Sequence, residues 1–332
     1  MPAPSPPEGS SAPVAVVLLQ LGGPSSLDEV QPFLENMFRD PELFNLPIPA
    51  RAQDWLAEHA AKWRAKRARP LYASIGGRSP IGDITARQAH LLERELNDSM
   101  RSRVFVAMRY GKPSTEAAVE KVLAANCRSV TLLPLYPQYS TATTGSSVRE
   151  WQRCAARKEL DLPTATIDSY PSHPAYVSAV SERVSAALAR LPAKSDPHVL
   201  FSAHGLPQKL VRQGDPYQSQ IEETVQEVAR ECALQAPYTL CYQSRIGPQR
   251  WLKPSLTETL RRLGRSGCQA VLVVPISFVS DHLETLSEIN VEAREQAMSL
   301  GIRHFETATG LNDSPAFIQA LAELVLATAD GS

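Results

Sequence analysis

Six short, mainly apolar runs recur along the chain: VAVVLLQL (14–21), VFVAMRY (104–110), SVTLLPLY (129–136), HVLFSAH (198–204), YTLCYQS (238–244) and AVLVVPISF (270–278). They are rich in Val, Leu and aromatic residues and do not alternate strictly with polar ones, the pattern of strands buried on both faces. The stretches between them read as amphipathic helices: SSLDEVQPFLENMF (25–38) with Ser25 or Ser26 as N-cap, PSTEAAVEKVLAAN (113–126), DPYQSQIEETVQEVAREC (215–232), and LTETLRRLGRSG (256–267), which ends on glycine. Strand, helix and strand joined by short links predict an α/β fold with doubly wound parallel sheets. The runs fall into two sets of three, so two domains are expected, with a boundary near Glu150.

Composition narrows the function. At 332 residues the chain is comfortable for two domains, and 34 basic against 35 acidic residues leave no overall charge footprint for nucleic acid. Five cysteines without a CxxC pair argue for a reduced compartment and against a disulfide frame or a zinc ribbon. The start, MPAPSPPEGSSAP, has neither the basic nor the apolar region of a signal peptide, and residues 1–12 are expected to be a disordered tail. No apolar run reaches the length of a membrane span, and a cytoplasmic protein is expected.

Each apolar run ends in something polar, and those ends carry the chemistry. LGGPSS follows the first run, YSTATTGSS the third, SAHGLP the fourth and SRIGPQRW the fifth. The sixth leads into FVSDHLETLSEIN (278–290), with one aspartate, one histidine and two glutamates. If this last segment is an α-helix, Glu284, Glu288 and Glu292 stand four apart on one face, where like charges repel. Such a row is ordinarily a solvated face; beginning at a strand's carboxyl end, where α/β sheets bind ligands, it suits a route for a cation or a proton. Neither GxGxxG nor GxxxxGK[ST] is present, which disfavours a nucleotide enzyme. His282 and Glu284 match an H-x-E fragment, but the PCxxC half of a zinc deaminase and the HExxH of a zinc protease are missing. Two histidines and several carboxylates at strand ends suit proton abstraction beside a transient first-row divalent metal.

Taken in order, LGGP, RDPEL, IGGRSPI, MRYGKPSTEAAVE, LPLYPQYSTATTGSS, FSAHGLP, GDPY, YQSRIGPQRWL, PISFVSDHLETLSEIN and LNDSP make the sequence resemble the ferrochelatases, which insert ferrous iron into a porphyrin to make haem. The resemblance runs from about Val14 to about Ala327. It implies two Rossmann-like domains, the first of residues 13–150 completed by a returning segment 312–330 and the second of residues 151–311, with the active site in the cleft between them. His204 is then the proton acceptor and Glu284 faces it across the ring; the metal meets His204, Glu284 and Glu288. Protons or iron pass along Glu284, Glu288 and Glu292, and Asp281 and His282 orient and buffer the site.

For the porphyrin, the resemblance implies propionate contacts from Arg78, Arg109, Ser244 and Arg245, and an apolar lining from Leu21, Tyr110, Tyr136, Trp251 and Phe278. The chain departs from many relatives in having Ala73 and Ser74 before IGG and Arg78 where glycine is common. Ser25 stands where coproporphyrin-using relatives carry a tyrosine, which favours protoporphyrin IX. No resident cofactor is expected, and in particular no iron–sulfur cluster, because the cysteines are dispersed and Thr141 stands where some cluster-bearing relatives have cysteine. Leucines and tryptophan in 43–56 followed by Lys62, Arg64, Lys66, Arg67 and Arg69 suggest peripheral membrane contact over residues 43–69. Two other readings stay open, a haem or porphyrin carrier without catalysis, and a cobalt or nickel chelatase of tetrapyrrole synthesis.

Overall fold

A computed structural model gives the structure of the chain and describes residues 12–41, 43, 49–244 and 249–330. The expected N-terminal tail up to residue 11, Arg245 and most of the stretch 42–48 lie outside the described residues. Among the described residues, eight strands form two parallel sheets. β1 (Val14–Gln20), β2 (Ser102–Met108), β3 (Ser129–Pro134) and β4 (Thr164–Thr166) stand in the order β2-β1-β3-β4. β5 (His198–His204), β6 (Tyr238–Gln243), β7 (Ala270–Pro275) and β8 (His304–Thr307) repeat it as β6-β5-β7-β8. Each expected apolar run holds one of the six longer strands. β4 and β8 escape sequence reading because they are edge strands of three and four residues, β8 with Phe305 as its one buried residue, too short to carry a periodic signal.

The near-continuous hydrophobicity of β1 and β5 has the cause expected of doubly covered strands. Val16 and Leu18 of β1 face one core, whereas Ala15, Val17 and Leu19 face another. In β5, Val199, Phe201 and Ala203 point into the same core as Val16, while Leu200 points to the far side. That shared core also takes Leu92 from α3 (Ile81–Asn97), Val184 from α6 (Pro174–Leu188) and Phe317 from α11 (Pro315–Asp330). The two sheets are therefore joined by one body of apolar packing, and each has a private core on its outer face.

β4 belongs to the first sheet, so the chain leaves that sheet beyond residue 166 and not near Glu150 as expected. α11 packs against α3 and α6, which bridges the sheets. The buried Asp215 of GDPY ties the halves by polar contacts: one carboxylate oxygen accepts from Ser140 Oγ at 3.0 Å, Thr141 N at 2.8 Å and Thr141 Oγ1 at 2.8 Å. The helix expected over 25–38 begins as a 3-10 turn, Leu27–Glu29, and becomes α1 only over Val30–Phe38. Ser26 stands at the N-cap position of that turn without a side-chain cap bond, and Pro32, which has no N–H to donate, falls in the first turn of α1. α1 packs with α2 (Ala50–Ser74) around a small separate core of Val30, Leu34, Ala61, Ala65 and Tyr72.

Phe317 has no solvent exposure and sits in the core common to both sheets. Phe317→Ala is expected to cost about 3–5 kcal/mol of stability. Urea unfolding followed by circular dichroism checks this.

Candidate active site

The strand order reverses between β5 and β7, and the crevice outside the carboxyl ends at such a reversal is where open α/β sheets bind ligands. His204 is the last residue of β5 and is fixed through its backbone: its N–H donates to Ser277 Oγ at 2.9 Å, and its carbonyl accepts from Tyr217 Oη at 3.0 Å. Gly205 follows because the chain passes hard against the end of β6. A Cβ there would lie 2.8 Å from the Gln243 carbonyl oxygen, whereas the bare backbone N–H bonds to that oxygen at 2.7 Å. Histidine-glycine at this point is thus a steric requirement as well as a chemical one.

Beyond β7, residues Glu284–Ala293 wind as a π-helix, not as the α-helix expected. Sequence periodicity does not distinguish the two windings over two turns, and π segments cluster at functional sites. Glu284 and Glu288 are half-buried and Glu292 is exposed, so the row runs from inside to outside. His204 Nδ1 lies 2.9 Å from Glu284 Oε2, with the two side chains 36% and 31% exposed. Nε2 of the imidazole has no hydrogen-bond partner among the described residues. Ser244 follows β6 at φ 53°, a left-handed conformation uncommon for a residue with a side chain. There its N–H donates to Glu288 Oε1 at 2.9 Å, and its Oγ lies 3.0 Å from Glu284 Oε2 and 2.5 Å from Glu288 Oε2.

These contacts set the charges. Burial opposes an imidazolium at His204, but the Glu284 carboxylate outweighs it and the pKa is raised above 6.5. Burial likewise opposes the Glu284 anion, yet His204 brings its pKa down to about 2. Glu288 goes the other way: burial raises its pKa, Ser244 works against that, and the neighbouring Glu284 charge adds to it. His282, whose ring centroid lies 4.3 Å from that of Phe278 with the planes tilted by 52°, has its pKa lowered, chiefly by burial.

Several expected residues are occupied elsewhere. Asp281, expected to orient the site, is anchored ahead of the row: its carboxylate accepts from Asn312 Nδ2 at 2.7 Å, Thr285 Oγ1 at 3.1 Å and the Gly310 N–H at 3.2 Å. Gln88 of α3 donates to the Asn312 carbonyl at 2.6 Å and so links the first half to this turn. Arg109 is not a free propionate partner. It bonds to Asp40 at 2.9 Å and to Ser146 Oγ at 2.8 Å, and Asp40 is fully buried. Tyr110 is core, donating its hydroxyl to Asp40. Arg78 pairs with Asp83 at 2.7 Å on the surface, and Ser244 bonds to the acid row. Leu21, Tyr136 and Phe278 remain half-buried just beyond strand ends, as does Trp251 where it bridges to Pro207.

His204, Glu284 and Glu288 are not gathered into a metal cage: among the described residues no three His, Cys, Asp or Glu side chains converge on a point where an ion would sit. A donor set committed to its own hydrogen bonds suits a metal that passes through as substrate. Sequence reasoning missed Asp40, Gln88, Asp215, Tyr217, Ser277 and Asn312, whose contacts are long-range. RDPEL, GDPY, LNDSP and PISFVSDHLETLSEIN were the available signal, holding Asp40, Asp215 with Tyr217, Asn312 and Ser277 in turn.

The ferrochelatase family model matches residues 13–329. A ferrochelatase of Geotalea uraniireducens is 43% identical over 311 residues, covering 94% of this chain and 96% of the relative. That of Gloeobacter violaceus is 44% identical, covering 95% and 97%, and that of Synechocystis sp. is 43% identical, covering 94% and 82%. In fold, the chain resembles the sirohydrochlorin chelatase SirB of Bacillus subtilis subspecies spizizenii, with a TM-score of 0.53 at 12% identity over 96% of both chains. Because the match runs through both sheets and the returning helix at this level of identity, the chain belongs to the ferrochelatase family.

Proposed function

We propose that His204 takes a pyrrole proton at Nε2 while this enzyme inserts ferrous iron into the porphyrin ring to make haem, and that Glu284, Glu288 and Glu292 carry a proton outward. A free-base porphyrin holds two pyrrole N–H protons that must leave before iron occupies their place. The carrying observation is the 2.9 Å contact from His204 Nδ1 to Glu284, which leaves Nε2 open. A neutral imidazole with its hydrogen on Nδ1, held by the carboxylate, presents a lone pair at Nε2. Once Nε2 is protonated, Glu284 stabilises the imidazolium and stands ready to take the Nδ1 proton. Half-buried Leu21, Tyr136, Trp251 and Phe278 would meet the ring. We read protoporphyrin IX as the preferred substrate over coproporphyrin III, since exposed Ser25 bonds to Glu29 where the alternative branch has a tyrosine.

No resident iron–sulfur cluster enters this reading. Its support is that the cysteines are scattered: Cys154 on α5 (Ser146–Arg157), Cys232 after α8 (Tyr217–Glu231), Cys241 on β6, and Cys127 and Cys268 before β3 and β7. No helix among the described residues is long and apolar enough to cross a membrane. We read α2 as the peripheral membrane contact. Its alanine face packs on α1, and its outer face exposes Trp55 (57%) and Trp63 (56%) among Lys62, Arg64, Lys66, Arg67 and Arg69. Arg67 lies 4.0 Å over the Trp63 ring, a cationic and aromatic surface suited to an anionic headgroup layer.

His204→Ala and Glu284→Gln are each expected to bind porphyrin, measured by fluorescence quenching, while metallation falls about 10²–10⁴-fold. Near-native turnover of His204→Ala would make that histidine structural. Only the neutral imidazole accepts a proton, so kcat/KM should rise with pH through an apparent pKa above 6.5. In Glu284→Gln the residual activity should show that limb moved to lower pH, because the charge raising the pKa is gone. With anaerobic ferrous iron, protoporphyrin IX should be metallated faster than coproporphyrin III by a protein lacking acid-labile sulfide; the reverse preference, or stoichiometric sulfide, refutes the respective claim. Anionic vesicles should float the protein at low salt, each basic residue near the surface adding about 1 kcal/mol. Trp55→Ala with Trp63→Ala should weaken this, and protein left at the bottom of the gradient with every vesicle rules the contact out.

A further inference from the structure

We infer that the Ser244 hydroxyl is the link through which a proton passes from Glu284 to Glu288, so that this serine positions the exit route instead of a porphyrin propionate. The inference rests on the reading of His204 as base. Its ground is geometric. One oxygen, Ser244 Oγ, is within hydrogen-bond distance of both carboxylates, at 3.0 Å from Glu284 Oε2 and 2.5 Å from Glu288 Oε2. A hydroxyl has one hydrogen to give and lone pairs to receive, so it donates to one carboxylate at a time and can accept from the other. The left-handed backbone at φ 53° fixes the hydroxyl here, with the Ser244 N–H bonded to Glu288 Oε1.

The transfer balances. A proton leaves His204 Nδ1 for Glu284, whose new O–H donates to Ser244 Oγ. As that O–H breaks, one forms on the serine, and the serine's original hydrogen moves to Glu288 Oε2. Glu284 is again a carboxylate, Ser244 is again a neutral hydroxyl turned round, and Glu288 carries the proton. Behind Glu288 lies a cavity of about 360 Å³, open to solvent and lined by Ser244, Glu258, Glu288, Glu292 and Gln243 among others. Gln243 is 3% exposed, and its Nε2 has no partner among the described residues. A buried amide donor beside a polar cavity of this size is a place for ordered water, the acceptor that would take the proton from Glu288.

The test uses Ser244→Ala and, because a side chain at positive φ is strained, Ser244→Gly, which removes the hydroxyl and relieves the backbone. Steady-state metallation is measured with and without added imidazole as a small proton carrier. Expected are a kcat lowered about tenfold or more, KM for porphyrin unchanged, and recovery of rate as imidazole is added. A raised KM with unchanged kcat would return Ser244 to propionate binding and overturn the inference. Wild-type kinetics in both variants would overturn it too, as would a low kcat that imidazole does not restore, since the serine would then only hold Glu288 in place. His204→Ala in the same assay separates the two claims: if it metallates normally the base assignment falls, whatever Ser244 does.

Discussion

An imidazole and a carboxylate held 2.9 Å apart at a cleft wall are useful only if neither can swing away. Much of the surrounding structure serves that one contact. On the histidine side, Ser277 and Tyr217 hold the backbone of residue 204, and Gly205 lets β5 leave its sheet against β6 without a clash. On the glutamate side, Asp281 bolts the start of the π-helix to Gly310 and Asn312, and Gln88 bonds the Asn312 carbonyl from the other half of the molecule. The shared apolar core and the Asp215 contacts then keep the halves in register. A shift of one half against the other would reach the ion pair through Gln88.

The acid row resolves its own repulsion by giving each carboxylate a different environment. Glu284 is compensated by His204 and stays ionised, with a pKa near 2. Glu288, half-buried, has no cation of its own; its proton affinity is raised by burial and by the charge next to it. Glu292 is exposed, where water screens it. Proton affinity therefore rises from the inner carboxylate to the middle one, and the solvent lies beyond. A proton delivered to Glu284 faces a neighbour of higher proton affinity, a difference set by His204 beside the first carboxylate and by burial and the Glu284 charge at the second.

What could be read in the sequence follows from the range of the interactions. His204, Glu284 and Glu288 sit in short local patterns at the ends of strongly apolar runs, and those runs located six of the eight strands. β4 and β8 were invisible because an edge strand of three or four residues needs little apolar surface. Arg109 looked available because its sequence neighbours are uncharged, while its partner Asp40 comes from 69 residues earlier and is buried only by the fold. Ser244 was read as a propionate hydroxyl for the same reason: its acceptors lie 40 and 44 residues away. The π-winding was beyond any periodicity argument, since residues four apart share a face in either helix.

A formal net charge of −1 conceals a separation of charge that matches the two substrates. α2 carries Arg51, Lys62, Arg64, Lys66, Arg67 and Arg69 against Asp54 and Glu58, and its far end reaches the site: Tyr72 feels the Glu284 charge, and Leu283 packs into the α1–α2 core. A porphyrin bears anionic propionates on an apolar disc, so a basic, tryptophan-bearing lip attracts it and an acidic row does not. Ferrous iron and departing protons have the opposite preference. The α2 helix is basic and the Glu284, Glu288 and Glu292 row acidic, so local charge is sorted while the total stays near zero.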